Sequence, residues 1–213
     1  MQNVHERIKH SLSAFELGSI IFPSDFRGHG SQDAIKMALS RLVKQGYLKR
    51  VAHGIYYRPF IDPKLGELTP SPEAVAQNLA DREKVRIRPA GSYALHKLGL
   101  STQVPTKLVY LTDGHPRKLR VGKATIEFKA TTPKKMALKG SISGLLILAL
   151  EELEIDHINQ VTEKRILQLL EREDRGDLSH DLRLAPGKIY DYLSKLLRRL
   201  DESSIFSILN QAK

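Results

Sequence analysis

Nine side chains between positions 32 and 58 offer the most definite chemistry in the chain. Gln32, Lys36, Ser40, Arg41 and Lys44 fall on one side of a helical wheel, and Lys49, Arg50, His53 and Arg58 follow closely behind. Gln32, Lys36 and Ser40 suit base edges in a DNA groove, while Arg41, Lys44 and the four later residues suit backbone phosphates. Met37 shares the same face and departs from its polarity, although its side chain suits contact with a thymine methyl group. About four to six phosphate contacts per subunit would make binding steeply salt-dependent, each contributing roughly −0.9 to the logarithmic slope.

Other chemistries find no matching pattern. Gly91-Ser92 is how a nucleotidyltransferase motif begins, but no Asp-x-Asp follows to hold metal ions on nucleotide phosphates. The eight histidines form no chelating set. His5 and His10 are too far apart on a helix, His29 and His53 fall in turns, and His96, His115, His157 and His180 have no partner at ligand spacing. The phosphate-loop strings, His-Glu-x-x-His and Gly-x-Ser-x-Gly are all missing from the sequence. Asp174, Asp177 and Asp181 read as a solvated capping cluster. With no Cys, disulfides, thiol catalysis and zinc–thiolate sites drop out, as fits a reducing compartment. The expectation is a binding protein and not an enzyme, with no catalytic residues, no metal and no cofactor.

The elements that position the nine side chains can be read from periodicity. Ala34, Ile35, Ala38, Leu39, Leu42 and Val43 form one apolar stripe of a helix that Ser31 caps and Gly46 ends. Tyr47–Val51 and Ile55–Arg58 read as strands around the turn Ala52-His53-Gly54, and Pro59 closes the second. Upstream, Val4, Ile8, Leu12 and Phe15 predict a first helix and Pro23–Phe26 a short second one. This order is that of a winged helix-turn-helix, whose last helix reads the groove. A winged helix that docks protein instead of DNA is the competing reading. Residues 1–60 carry nine Lys/Arg against four Asp/Glu, a net of +5, which favours a polyanion.

At 213 residues the chain allows one large domain or two small ones, and the spacing predicts an α+β fold in two parts. The first is the winged helix-turn-helix, 1–60. A proline-containing linker at 61–72 follows, and then a mixed α/β domain, 73–213, with a small sheet within 85–130 and a helical segment within 141–209. Pro72 starts a helix, and Lys107–Thr112, Arg117–Val121 and Ala124–Ala130 are the clearest strands. Ile142–Leu150 is apolar but far shorter than the roughly twenty residues of a spanning helix, so it reads as a buried core helix. A short last helix at Ser203–Leu209 is expected. The polar N-terminus suggests no signal peptide, and the location expected is cytoplasmic, at the nucleoid.

The net charge of +10 is unevenly placed: residues 81–140 hold fourteen Lys/Arg against four Asp/Glu, and residues 141–213 are mildly acidic. Arg86, Arg88, Lys97, Arg117, Lys118 and Arg120 are candidates for a partner-binding surface. An extension of the DNA surface and ordinary solvated strand positions are the alternatives.

Two blocks of sequence resemble a known family. Leu39-Ser40-Arg41-Leu42-Val43-Lys44-Gln45-Gly46, with Leu48–Val51 and Gly54-Ile55-Tyr56-Tyr57-Arg58-Pro59, resembles the winged-helix domain of AbiEi-type antitoxins. Ala90–Leu100, then Val104-Pro105 and the strand at 107–112, resembles the stretch after that family's linker. These antitoxins belong to bacterial type IV toxin–antitoxin pairs. The resemblance implies an N-terminal domain that represses its own operon on promoter DNA. It also implies a second domain that neutralises a toxin of nucleotidyltransferase fold, as a monomer binding repeats cooperatively or as a dimer. A stand-alone regulator with a ligand- or protein-binding second domain is the alternative.

Overall fold

The same local rules recur in a computed structural model, which describes residues 3–211, with side chains as far as Arg199. The fold is mixed α+β. Its chain divides into two compact units, Met1–Lys84 with Lys118–Ile126, and Val85–Arg117 with Glu127–Lys213.

The first unit begins with α1 (Val4–Ser11), β1 (Ile20–Ile21) and a 3-10 turn at Pro23–Phe26. Then comes α2 (Gln32–Lys44), where the Ser31 side chain accepts from the Ala34 N–H at 3.3 Å. Gly46, at φ +79°, makes the left-handed exit that ends this helix. Ile35, Ala38, Leu39 and Leu42 of α2 are buried with Ile8, Leu12, Ile21, Phe26 and Leu48, so the predicted stripe is the inward one. The hairpin β2 (Lys49–Ala52) and β3 (Ile55–Tyr57) pairs antiparallel, and β1 joins the other edge of β3. Sequence alone does not reveal β1, because two residues are too few to show alternation.

Residues 61–72, expected as linker, hold regular structure. β4 (Phe60–Asp62) and β5 (Gly66–Leu68) form a second hairpin, and α3 (Pro72–Glu83) follows. The Asp62 carboxylate accepts from the Lys64 and Leu65 N–H groups at 2.8 and 2.9 Å, folding Pro63 into a turn where composition alone suggests a tether. By contacts, the division between the units comes at Lys84/Val85, after α3.

The second unit has a four-stranded sheet of order β6-β7-β9-β8, from β6 (Ile87–Ala90), β7 (Lys107–Thr112), β8 (Arg117–Val121) and β9 (Ala124–Ala130); the end of β8 and the start of β9 group with the first unit. Its helices are α4 (Gly91–Lys97), α5 (Pro133–Met136), α6 (Ser143–Leu150), α7 (Gln160–Leu170), α8 (Arg175–Leu184) and α9 (Gly187–Gln211). The short terminal helix expected at 203–209 is part of the continuous α9. No helix among the described residues is long and apolar enough to cross a membrane.

α6 is apolar on nearly every side and lies in the core with Leu146–Leu150 buried. Such a helix has no wet face, so its first N–H groups need partners inside the protein. Glu173 accepts from the Ile142 and Ser143 N–H groups at 2.7 and 2.5 Å. Asp181 of α8, fully buried, accepts from the Lys139 and Gly140 N–H groups and the Ser143 hydroxyl at 2.7, 2.9 and 2.8 Å, with His180 Nδ1 at 3.0 Å. Burial pushes the Asp181 carboxyl up, but these hydrogen bonds, led by His180, outweigh it and hold it below the usual carboxylate range. The solvated capping cluster expected at 174–181 therefore needs correction. Asp174 does cap α8, accepting from Gly176 and Asp177, whereas Asp181 faces inward and secures the loop before α6.

Candidate nucleic-acid interface

The outward side of α2 carries Gln32, Lys36, Met37, Ser40, Arg41 and Lys44, all exposed, with Met37 58% so. Asp33 in the first turn pairs with Lys36 at 3.5 Å; both are well exposed, so the pair is worth little and leaves the lysine available. At the far end of the helix, Lys9 of α1 sits over the half-exposed Tyr47 ring, 4.4 Å from its centroid.

The β2–β3 hairpin adds its own cations. The pairing slips between Arg50 and Ala52, leaving Val51 as a bulge that turns the strand toward its tip. Arg50 is fixed there: its Nε donates to the Ala52 carbonyl at 3.2 Å, and its Nη2 lies 2.8 Å from His53 Nδ1. Lys49 is already engaged with Glu67, which also accepts from the Tyr57 hydroxyl at 2.6 Å. The lysine, then the tyrosine, hold the Glu67 carboxyl low, while burial and this same bond push Tyr57 up to about 12.

Arg58 is placed differently from its eight companions. It is half-buried, its guanidinium donates to the Phe15 carbonyl, and its backbone bonds with Gly18 and Ser19. Its charge ties the end of β3 to the segment after α1. The loop Arg27–Gly30 before α2 is secured from α1 as well, by Arg7 donating to the His29 carbonyl and by Ser11 Oγ lying 2.8 Å from His29 Nε2.

One positioning residue escapes sequence reasoning. Arg82, near the end of α3, donates to Ser24 Oγ at 2.9 and 2.5 Å and to Asp25 Oδ1 at 2.6 Å, and stacks 4.5 Å from the Phe22 ring centroid. It braces the 3-10 turn in front of α2. Its partners lie 57 and 58 residues away, so no local signal announces them.

The six candidates for a partner surface separate. Arg86, Arg88 and Lys97 line one groove of about 510 Å³ in the second unit, together with Lys139 and no acidic residue. Arg86 pairs with Asp113 at 2.8 Å, and Arg88, half-buried, donates to the Leu138 carbonyl. Burial lowers the Arg88 pKa, and the Asp181 charge acts against that. Arg117, Lys118 and Arg120 stand on β8, at the opposite edge of the sheet from β6, with Lys118 and Arg120 exposed. Among the described residues, no three His, Cys, Asp or Glu side chains gather as a metal site.

A family profile described as a family of unknown function, DUF6088, matches residues 7–178. The chain belongs to that family. No curated protein matches it. Among solved structures it is similar to the RV2827C protein from Mycobacterium tuberculosis, at 14% identity and a TM-score of 0.43 over 90% of this chain and 78% of that one.

Proposed function

We propose that the chain is a promoter-binding regulator whose first unit acts as a winged helix-turn-helix, with α2 in the major groove and the β2–β3 hairpin as the wing. One observation carries the reading. The outward face of α2 is polar, basic and free of packing, and the chain runs from it directly into a hairpin where Arg50 is held rigid by Ala52 and His53. Gln32, Lys36 and Ser40 contact base edges; Arg41, Lys44, Lys49, Arg50 and His53 contact phosphates. Arg58, bound to Phe15, serves the scaffold instead. The protein is a binder and not a catalyst, and needs no cofactor.

The resemblance to AbiEi-type antitoxins supplies the second half of the proposal. The chain represses its own operon and neutralises a toxin of nucleotidyltransferase fold, working at the nucleoid in the cytoplasm. The groove of Arg86, Arg88, Lys97 and Lys139 is the surface of the second unit best suited to an acidic partner.

Gel shifts and salt titrations on the DNA upstream of the gene test the first half. Changing Lys36, Arg41 and Arg50 together to Ala should abolish the shift at moderate salt and lower the logarithmic salt slope by about 2.7, at roughly 0.9 for each lost phosphate neutralisation. A triple variant that still binds the promoter as the parent does would refute the DNA reading. Growth on co-expression with the neighbouring gene tests the second half: a neighbour that is toxic alone and harmless with this chain supports it, and toxicity unrelieved by the chain opposes it.

A further inference from the structure

The segment Lys118–Ile126, the end of β8, its turn and the start of β9, belongs to the first unit although some thirty residues of the second unit precede it. It brings cations with it. Residues 117–126 read RKLRVGKATI, four basic residues and no acid. Within the first unit a cleft of about 450 Å³ is lined by Arg50, Val51 and Tyr57 of the β2–β3 hairpin and by Val121, Gly122 and Lys123 of this turn. Its walls contain no Asp or Glu. The Tyr57 hydroxyl is committed to Glu67, so the charged groups at the cleft are Arg50 and Lys123.

Both are ready for an anion. Arg50 is held by Ala52 and His53, which limits the rotamer entropy that binding would otherwise cost. Lys123 is exposed, and beside it Gly122 offers backbone with nothing within 4 Å of where a Cβ would stand. Arg120 folds back so that its Nε donates to the Gly122 carbonyl at 3.3 Å, which keeps a second guanidinium next to the turn. A planar guanidinium facing an ammonium across an acid-free cleft is a phosphodiester site.

We infer that the β8–β9 turn is a third DNA-contacting element, in which Lys123 and Arg50 grip one backbone phosphate across the cleft and Arg120 takes a neighbouring one. The inference rests on the DNA reading of the first unit and extends it to residues far along the chain. An acidic protein segment in the same cleft is the competing occupant.

The test compares the full-length chain with the double variants R120A/K123A and K129A/K134A, the latter an exposed pair of equal charge on β9 and α5. Affinity for a fluorescein-labelled duplex is measured from 50 to 200 mM salt, with the upstream sequence and with a scrambled one. R120A/K123A should lower the slope by about 1.8, two phosphates at roughly 0.9 each. The parent's advantage should then shrink about twelvefold across that salt range, and equally on both duplexes, because phosphates carry no sequence information. K129A/K134A should leave the slope in place. Melting temperature should hold in both, since all four side chains are exposed. An unchanged slope in R120A/K123A overturns the inference alone and leaves the cleft to an acidic segment. A fall of the same size in both variants also overturns it, by reducing the effect to net charge. A parent chain that binds neither duplex refutes the DNA reading, and this inference with it.

Discussion

Replacing Asp181 with Ala tests the account of how the second unit holds its all-apolar helix. The carboxylate is fully buried and takes two backbone N–H groups and one hydroxyl from the loop at 139–143. Losing it leaves those donors unpaired in a dry site, at about 1–3 kcal/mol each. The Ser143 hydroxyl can turn toward Glu173 and water can reach part of the space, so the sum falls to about 3–5 kcal/mol. Asp181→Asn keeps one acceptor oxygen and should lose about half as much. Because the folded carboxyl titrates below its unfolded value, its ionic contribution is complete above the unfolded pKa near 4 and fades as pH falls through the depressed folded value. The chain has no Trp, so urea unfolding is best followed by far-ultraviolet circular dichroism at pH 7 and at several points down to pH 3. The gap between parent and Asn variant should be widest at neutral pH and narrow in acid. A variant within about 1 kcal/mol of the parent at pH 7, or a gap that ignores pH, would refute the reasoning.

Three further outcomes are expected. Arg82→Ala should destabilise the first unit by about 1–3 kcal/mol in thermal melts, because three hydrogen bonds to Ser24 and Asp25 and the stacking on Phe22 vanish together. Lys at the same position should recover only part of this, lacking the planar fork. Gly140→Ala should cost more than about 2 kcal/mol or prevent folding, visible in dichroism, since a Cβ there would run into the Ser143 hydroxyl and stand 2.5 Å from Glu173 Oε2. Leu39→Ala, fully buried in α2, should cost about 2–5 kcal/mol, whereas Met37→Ala on the opposite face should shift stability by less than about 0.5 kcal/mol and weaken only promoter affinity.

How much of the structure is legible in the sequence depends on the range of the interaction. α2 follows from residues a few positions apart: the Ile35–Leu42 stripe, the Ser31 cap and the Gly46 exit all lie within one short window, and each works there as its type suggests. The β4–β5 hairpin is obscured because Pro63 and Gly66 read equally as tether or turn. Only the Asp62 side chain, bonding two N–H groups ahead of it, decides between them. Arg82, Arg58 and Asp181 are beyond reach for another reason. Their partners lie 57, 43 and 41 residues away, and nothing in the spacing of a polar residue tells whether it faces water or a distant carbonyl. Among the six central cations, sequence can supply only a common charge. The groove that takes Arg86, Arg88 and Lys97, and the edge strand that takes Lys118 and Arg120, come from strand order.

That the first unit is built from two stretches of chain limits how the protein can be cut. A fragment ending at residue 84 would lack nine residues native to that unit, Lys118–Ile126, and would open to water whatever Val121 and Ile126 now cover. An excised N-terminal piece is therefore an unsafe stand-in for the regulator, and its failure to hold DNA would say nothing about α2. Domain exchange between relatives meets the same obstacle: a swap made at one junction would pair each head with a foreign β-turn, and two junctions more would be needed to keep the parts matched.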